Sequence, residues 1–135
     1  AVIWLVGALF GSMLFFAFTV APTVFNTLSE EHASLFLRAF FPGYYLWGLV
    51  IALIAAAVAM DSSPIVSVAL FLVALLFVFA RQTLMPRINH ARDDELGCLP
   101  GASDRFKKLH LWSVLINGFQ MLILLAAVGL LIWSH

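Results

Sequence analysis

Four stretches of this chain carry no Lys, Arg, Asp or Glu, 1–29, 39–60, 62–80 and 111–135, and nothing else in the sequence limits its fold so severely. A hydrocarbon core about 30 Å thick is crossed by roughly 20 helical residues at about 1.5 Å each, so every stretch is long enough. The composition agrees: 64% apolar residues, 10% charged residues and a mean hydropathy of +1.07 lie far outside soluble usage. The expected fold is all-α, an integral membrane four-helix bundle in a single domain over 1–135, with spans near 2–26, 43–60, 64–84 and 109–133. The lipid bilayer is its first expected partner.

The first stretch reads as a span and not as a cleaved leader, because it is too long and has neither a basic start nor a small-residue cleavage site. The chain begins without Met, so a short N-terminal piece is expected to precede it. Cys98 is the single cysteine, which rules out an internal disulfide, and a formal net charge of +0 gives no pull toward nucleic acid.

Arg38, Arg81, Arg87, Arg92, Arg105, Lys107 and Lys108 all fall in or beside the connections 26–40 and 81–110. Basic residues stay on the cytoplasmic side of a membrane, so both connections are expected in the cytoplasm and both termini, with His135, outside. A bacterial inner membrane is the expected location. Between spans three and two lies "MDSSPI", where Ser63 is the expected N-cap and Pro64 the first helical residue.

In "LSEEHASLFLRAFFPGYYLWG" the residues Ala33, Phe36, Leu37, Phe40 and Phe41 recur at helical spacing, with Glu30, Glu31, Ser34 and Arg38 opposite. A short amphipathic helix lying in the interface fits this pattern. Ser29 or Thr27 is its expected cap, Pro42-Gly43 its expected end, and Tyr44, Tyr45 and Trp47 the expected aromatic belt. Further on, Pro86 is expected to kink a third helix that runs past the membrane surface.

Polar side chains inside the spans are costly unless paired. At 100° per residue His110, Asn117 and Met121 share one face of the last helix, with Ser113 and Gln120 beside it; Ser12, Thr19, Thr23 and Asn26 share one face of the first. The two seams are expected to meet within the bundle near the cytoplasmic rim, where Asn89, Arg92 and Asp93 also lie. Helix pairing is the plainer reading of Ser12, Thr19, Thr23 and Gln120 and ligand contact the competing one, for which His110 and Asn117 are the stronger candidates. Gly7 with Gly11 and Ala52 with Ala56 are small-residue pairs that favour close helix packing, inside the bundle or between copies.

His110, Met85, Met121 and Cys98 are soft or borderline metal ligands, yet no Cys-x-x-Cys, His-x-x-x-His or Met-x-x-Met spacing joins them, so no metal site or cofactor is assigned. For haem, only His110 stands near a span. No span contains an acid, and the nearest acid–base constellation, His110 with Asp93 or Asp94, depends on the path of a loop, so no catalytic residue is assigned.

"APTVF" at 21–25, "FPGYY" at 41–45, "MPRINHARD" at 85–93 and "FKKLHLWSVLIN" at 106–117 resemble a bacterial family of small four-helix membrane proteins of unknown function. That family is related to the eukaryotic cisplatin-resistance transmembrane protein. The resemblance implies that Pro22, Phe25, Phe41, Pro42, Pro86, Asn89, Arg92, Asp93, His110 and Asn117 match the family pattern, and that the rim is one site. It also implies a link to export of metal-containing drugs, and more loosely to copper-resistance and haem-pathway membrane proteins.

The leading expectation is binding or transport of a small ligand or metal species at a cytoplasm-facing vestibule, with His110, Asn117, Asn26, Thr23, Asn89, Arg92 and Asp93 as its ligand-binding residues. An accessory subunit of a larger membrane complex is the first alternative, and a haem- or copper-linked membrane protein the second. Four helices are few for a complete alternating-access transporter, so a homo-oligomer or a larger assembly is expected.

Overall fold

The computed structural model describes residues 2–133; Ala1, Ser134 and His135 lie outside it, and with them the expected position of His135. Four rods, Val2–Thr27, Glu30–Ser62, Pro64–Leu96 and Ala102–Trp133, are each long and apolar enough to cross a membrane. The first joins α1 (Val2–Phe15) to α2 (Ala21–Thr27) through a π-helical turn, Phe16–Val20, and the second is the single helix α3 (Glu30–Ser62). The third joins α4 (Pro64–Phe79) to α5 (Met85–Leu96) through a second π turn, Ala80–Leu84, and the fourth is α6 (Ala102–Trp133). Helix α1 packs on α3 and α6, and α4 packs on the same two, closing a ring.

Heptad-like spacing decides which faces turn inward. Val6, Leu9 and Met13 of α1, Leu70, Val73 and Phe77 of α4 and Leu124 of α6 recur every three or four residues and are at most 1% exposed. Outward faces stay apolar: Phe18, Val68, Phe71 and Leu122 are each more than half exposed, a surface suited to acyl chains. On α6 the exposed Trp112 and Trp133 are about 31 Å apart at 1.5 Å per residue, matching the hydrocarbon thickness between two aromatic belts.

The tightest contact joins α3 to α4, where Gly48, Ala52, Ala55 and Ala59 are buried. A Cβ on Gly48 would lie 2.5 Å from Cζ of Phe77, so the phenyl ring rests directly on the α3 backbone. Ser67 adds a hydrogen bond from its Oγ to the Ala56 carbonyl at 2.7 Å. Gly7 and Gly11, by contrast, face outward with open space around them.

Three local expectations need correction. Residues 30–41 are not a separate interfacial helix, because α3 runs unbroken through Pro42. Proline removes only one donor, and stacked rings on both sides of it hold the axis together: Phe16 on Phe40 with centroids 5.2 Å apart, and Phe41 on Tyr45 at 5.3 Å. Tyr44 and Tyr45 belong to this buried cluster and not to a belt, while Trp47 donates its indole N–H to Ser12 Oγ at 3.2 Å. Ser63 makes no side-chain cap, since its ψ is 93° where that of Ser29, which accepts from the His32 amide, is 163°. A one-residue connection spends its backbone on both helices: Ser63 donates to Ala59 O at 2.8 Å and accepts from Ser67 N at 3.0 Å.

Pro86 does distort the third rod, and Pro22 does the same in the first. Each stands two residues beyond a π turn, in which Ala21 N–H reaches back to Phe16 O and Met85 N–H to Ala80 O. The widened turn carries the chain past a residue that cannot donate.

Gly48→Ala drives a methyl into a ring that has nowhere to move, and is expected to cost about 1–3 kcal/mol. Gly118→Ala, whose methyl meets nothing within 4 Å, is expected to raise stability slightly. Thermal unfolding of the two variants in a mild detergent checks the contrast.

Candidate functional site

At the end of the bundle that bears the basic residues, the ring opens into a cavity of about 260 Å³. The first rod contributes Phe16 and Ala17 from its π turn and Ala21 and Phe25 beyond it; α3 contributes Ser34, Arg38, Phe41, Tyr44 and Tyr45. From α5 come Met85, Ile88, Asn89 and Arg92, and from α6 Phe106, His110, Ser113 and Asn117.

The rim is built from guanidinium contacts. Arg92 donates from Nε to Ser34 Oγ at 2.7 Å, pairs with Glu95 through Nη1, and lies 4.4 Å from the Phe106 ring centroid. One side chain thus ties α5 to α3 and α6. Arg38 donates from Nη2 to the Asn89 carbonyl at 3.0 Å and to Asp93 Oδ1 at 2.7 Å. His110 stacks on Phe106 at 6.0 Å and meets Phe25 edge-on at 6.5 Å, which places the imidazole among rings at the mouth.

The floor is quieter. Tyr44 donates to Asn117 Oδ1 at 3.5 Å, and Asn117 Nδ2 points to Met121 Sδ at 3.6 Å. One turn deeper, Gln120 is 2% exposed and donates from Nε2 to the Val73 carbonyl at 3.0 Å, so it fastens α6 to α4. Beyond it the apolar core closes.

Of the residues expected at this site, His110, Asn117, Asn89 and Arg92 line the cavity. Asp93 does not, and acts on it only by holding Arg38. Thr23 and Asn26 are exposed and outside it, as is Thr19, so the expected polar seam of the first helix does not form. A π turn carries one extra residue, which rotates all that follows by about 100° relative to a uniform helix. Ala17, Ala21 and Phe25 therefore take the inward face. Ser34 and Arg38 lie on the polar face of the expected surface helix, and that such a face can turn into a bundle is the signal available for them.

Among the described residues no group of three or more His, Cys, Asp or Glu is placed to hold a metal ion. Met85 and His110 line the cavity, but Cys98 is exposed in the turn after α5.

The fold and the cavity define a multi-pass helical membrane protein with a recess of rings and a few polar groups at its basic end. The chain belongs to the family described as a domain of unknown function, DUF4149, which matches residues 4–96. The matched segment ends before α6, so it includes three walls of the cavity and not the one carrying His110 and Asn117. Comparison with curated proteins and with solved structures finds no match.

Arg92, 12% exposed, loses a charge-assisted hydrogen bond and a ring contact on substitution, so Arg92→Ala is expected to destabilise by about 2 kcal/mol. Arg38 is 39% exposed in a solvated pair, and Arg38→Ala is expected to cost less than about 1 kcal/mol. Unfolding of the two variants side by side measures the difference.

Proposed function

We propose that this protein binds a small ligand in the cavity and serves as a binding or transport protein of a bacterial inner membrane. The carrying observation is the convergence of walls from all four rods on one recess, in which aromatic surface is combined with a few polar groups. Asn117, Asn89, Arg92 and His110 contact the ligand in this reading, and Asp93 braces Arg38. With the basic residues in the cytoplasm, the cavity opens inward and both termini lie outside. The resemblance to relatives of the cisplatin-resistance transmembrane protein supports handling of a small compound.

A second reading as an accessory subunit is favoured by the outward Gly7 and Gly11, which leave room for another helix to approach α1. In that case the cavity serves no ligand.

Ala21→Trp fills the cavity without touching its polar groups. Wild-type protein extracted and purified in dodecyl maltoside is expected to carry a co-purifying organic molecule, seen by mass spectrometry, that the variant loses at least tenfold, for a cost of about 1.4 kcal/mol. Equal recovery from the two proteins, or none from either, rejects the ligand reading.

A further inference from the structure

Among the described residues, the cavity wall contains two guanidinium groups and an imidazole but no carboxylate. Both acids that pair with those arginines, Asp93 and Glu95, stand outside the lining. Each pair therefore contributes its guanidinium residue to the cavity lining and not its carboxylate. A cation entering here meets no anionic group, whereas a carboxylate or phosphate meets donors already held in place.

The arginines also keep donors in reserve. The bonds of Arg38 run through Nη2, and those of Arg92 through Nε and Nη1. A guanidinium has five N–H groups, so each retains some for a bound oxyanion.

The same cavity changes character with depth. On α6, Arg92's neighbour Phe106 and His110 lie on the basic side of the belt residue Trp112, and Asn117 lies about 7.5 Å to its apolar side at about 1.5 Å per residue. Its walls at that level are the rings of Phe16, Phe41, Tyr44 and Tyr45. The upper part thus sits at headgroup level and the lower part at acyl level. A volume of about 260 Å³ lies just under the range of roughly 300–1,000 Å³ for small-molecule sites, enough for a compact head and a short apolar portion.

Resting on the ligand reading above, we infer that the ligand is an anionic amphiphile, with its carboxylate or phosphate held by Arg38 and Arg92 and its apolar portion among the rings. A phosphate or carboxylate head of this kind is shared by single-chain lipids and by soluble amphipathic acids. An inorganic anion shares the head but has nothing to place in the aromatic part.

The test uses the full chain in dodecyl maltoside, whose head is uncharged, with nitrogen-labelled arginine so that the Arg38 and Arg92 Nε resonances report binding at the site. Decyl phosphate is expected to shift both resonances saturably, and inorganic phosphate and decyltrimethylammonium to shift neither. Arg38→Gln, a substitution at a half-exposed pair that leaves the fold intact, is expected to weaken decyl phosphate binding about tenfold, and Ala17→Trp to abolish it. Equal response to inorganic phosphate overturns the amphiphile and leaves a simple anion site. Response to decyltrimethylammonium or decanol that Ala17→Trp abolishes overturns the anionic head while the ligand reading stands. If no probe responds while a molecule that Ala21→Trp expels does co-purify, the inference falls alone; if neither is seen, both fall.

Discussion

A backbone inside hydrocarbon has no water to bond, and two of the prolines in this chain, Pro22 and Pro86, are placed where that constraint is hard to meet. Pro22 and Pro86 each follow a π turn, in which Ala21 and Met85 reach five residues back to Phe16 and Ala80. Wider turns let the helices continue. They also turn Ala17, Ala21 and Met85 toward the bundle axis, side chains smaller or more pliant than the phenylalanines nearby, at the depth where the cavity begins. The recess is thus a consequence of how the chain carries proline through a membrane.

Packing on either side of that level differs in kind. Toward the far end, the contact of Gly48 with Phe77 and the alanines of α3 bring helices close enough for dispersion to hold them, as apolar side chains gain nothing by leaving lipid. Toward the basic end, the joints are polar and aromatic: Arg92 to Ser34 and Phe106, Arg38 to Asn89 and Asp93, and the rings around Phe16 and Tyr44. One half is sealed by small residues and the other propped open by large ones.

Much of this was legible in the residues. Charge-free runs located the rods, the Ser29 cap and the distortion at Pro86 follow from local rules, and His110, Asn117, Asn89 and Arg92 do converge. Failures share a cause, which is extrapolating uniform helix geometry or a single-residue rule across a site where tertiary contacts decide. Counting 100° steps misplaces Thr19, Thr23 and Asn26, because the count runs through a turn that is not α-helical. The missing donor of Pro42 is local information that reads as an end, while the Phe16 ring that stacks on Phe40 and braces the helix beside it comes from a distant position. Tyr44 and Tyr45 have the composition of a belt, and only the opposing helix determines that they are buried.

Gln120 gives the recess its last property. Its amide is fastened to the Val73 carbonyl, and past it Leu9, Met13, Leu70, Phe77 and Leu124 leave no room. In this conformation the recess is blind at its deep end, and a continuous path along the bundle axis would require the plug formed by that glutamine to be withdrawn first.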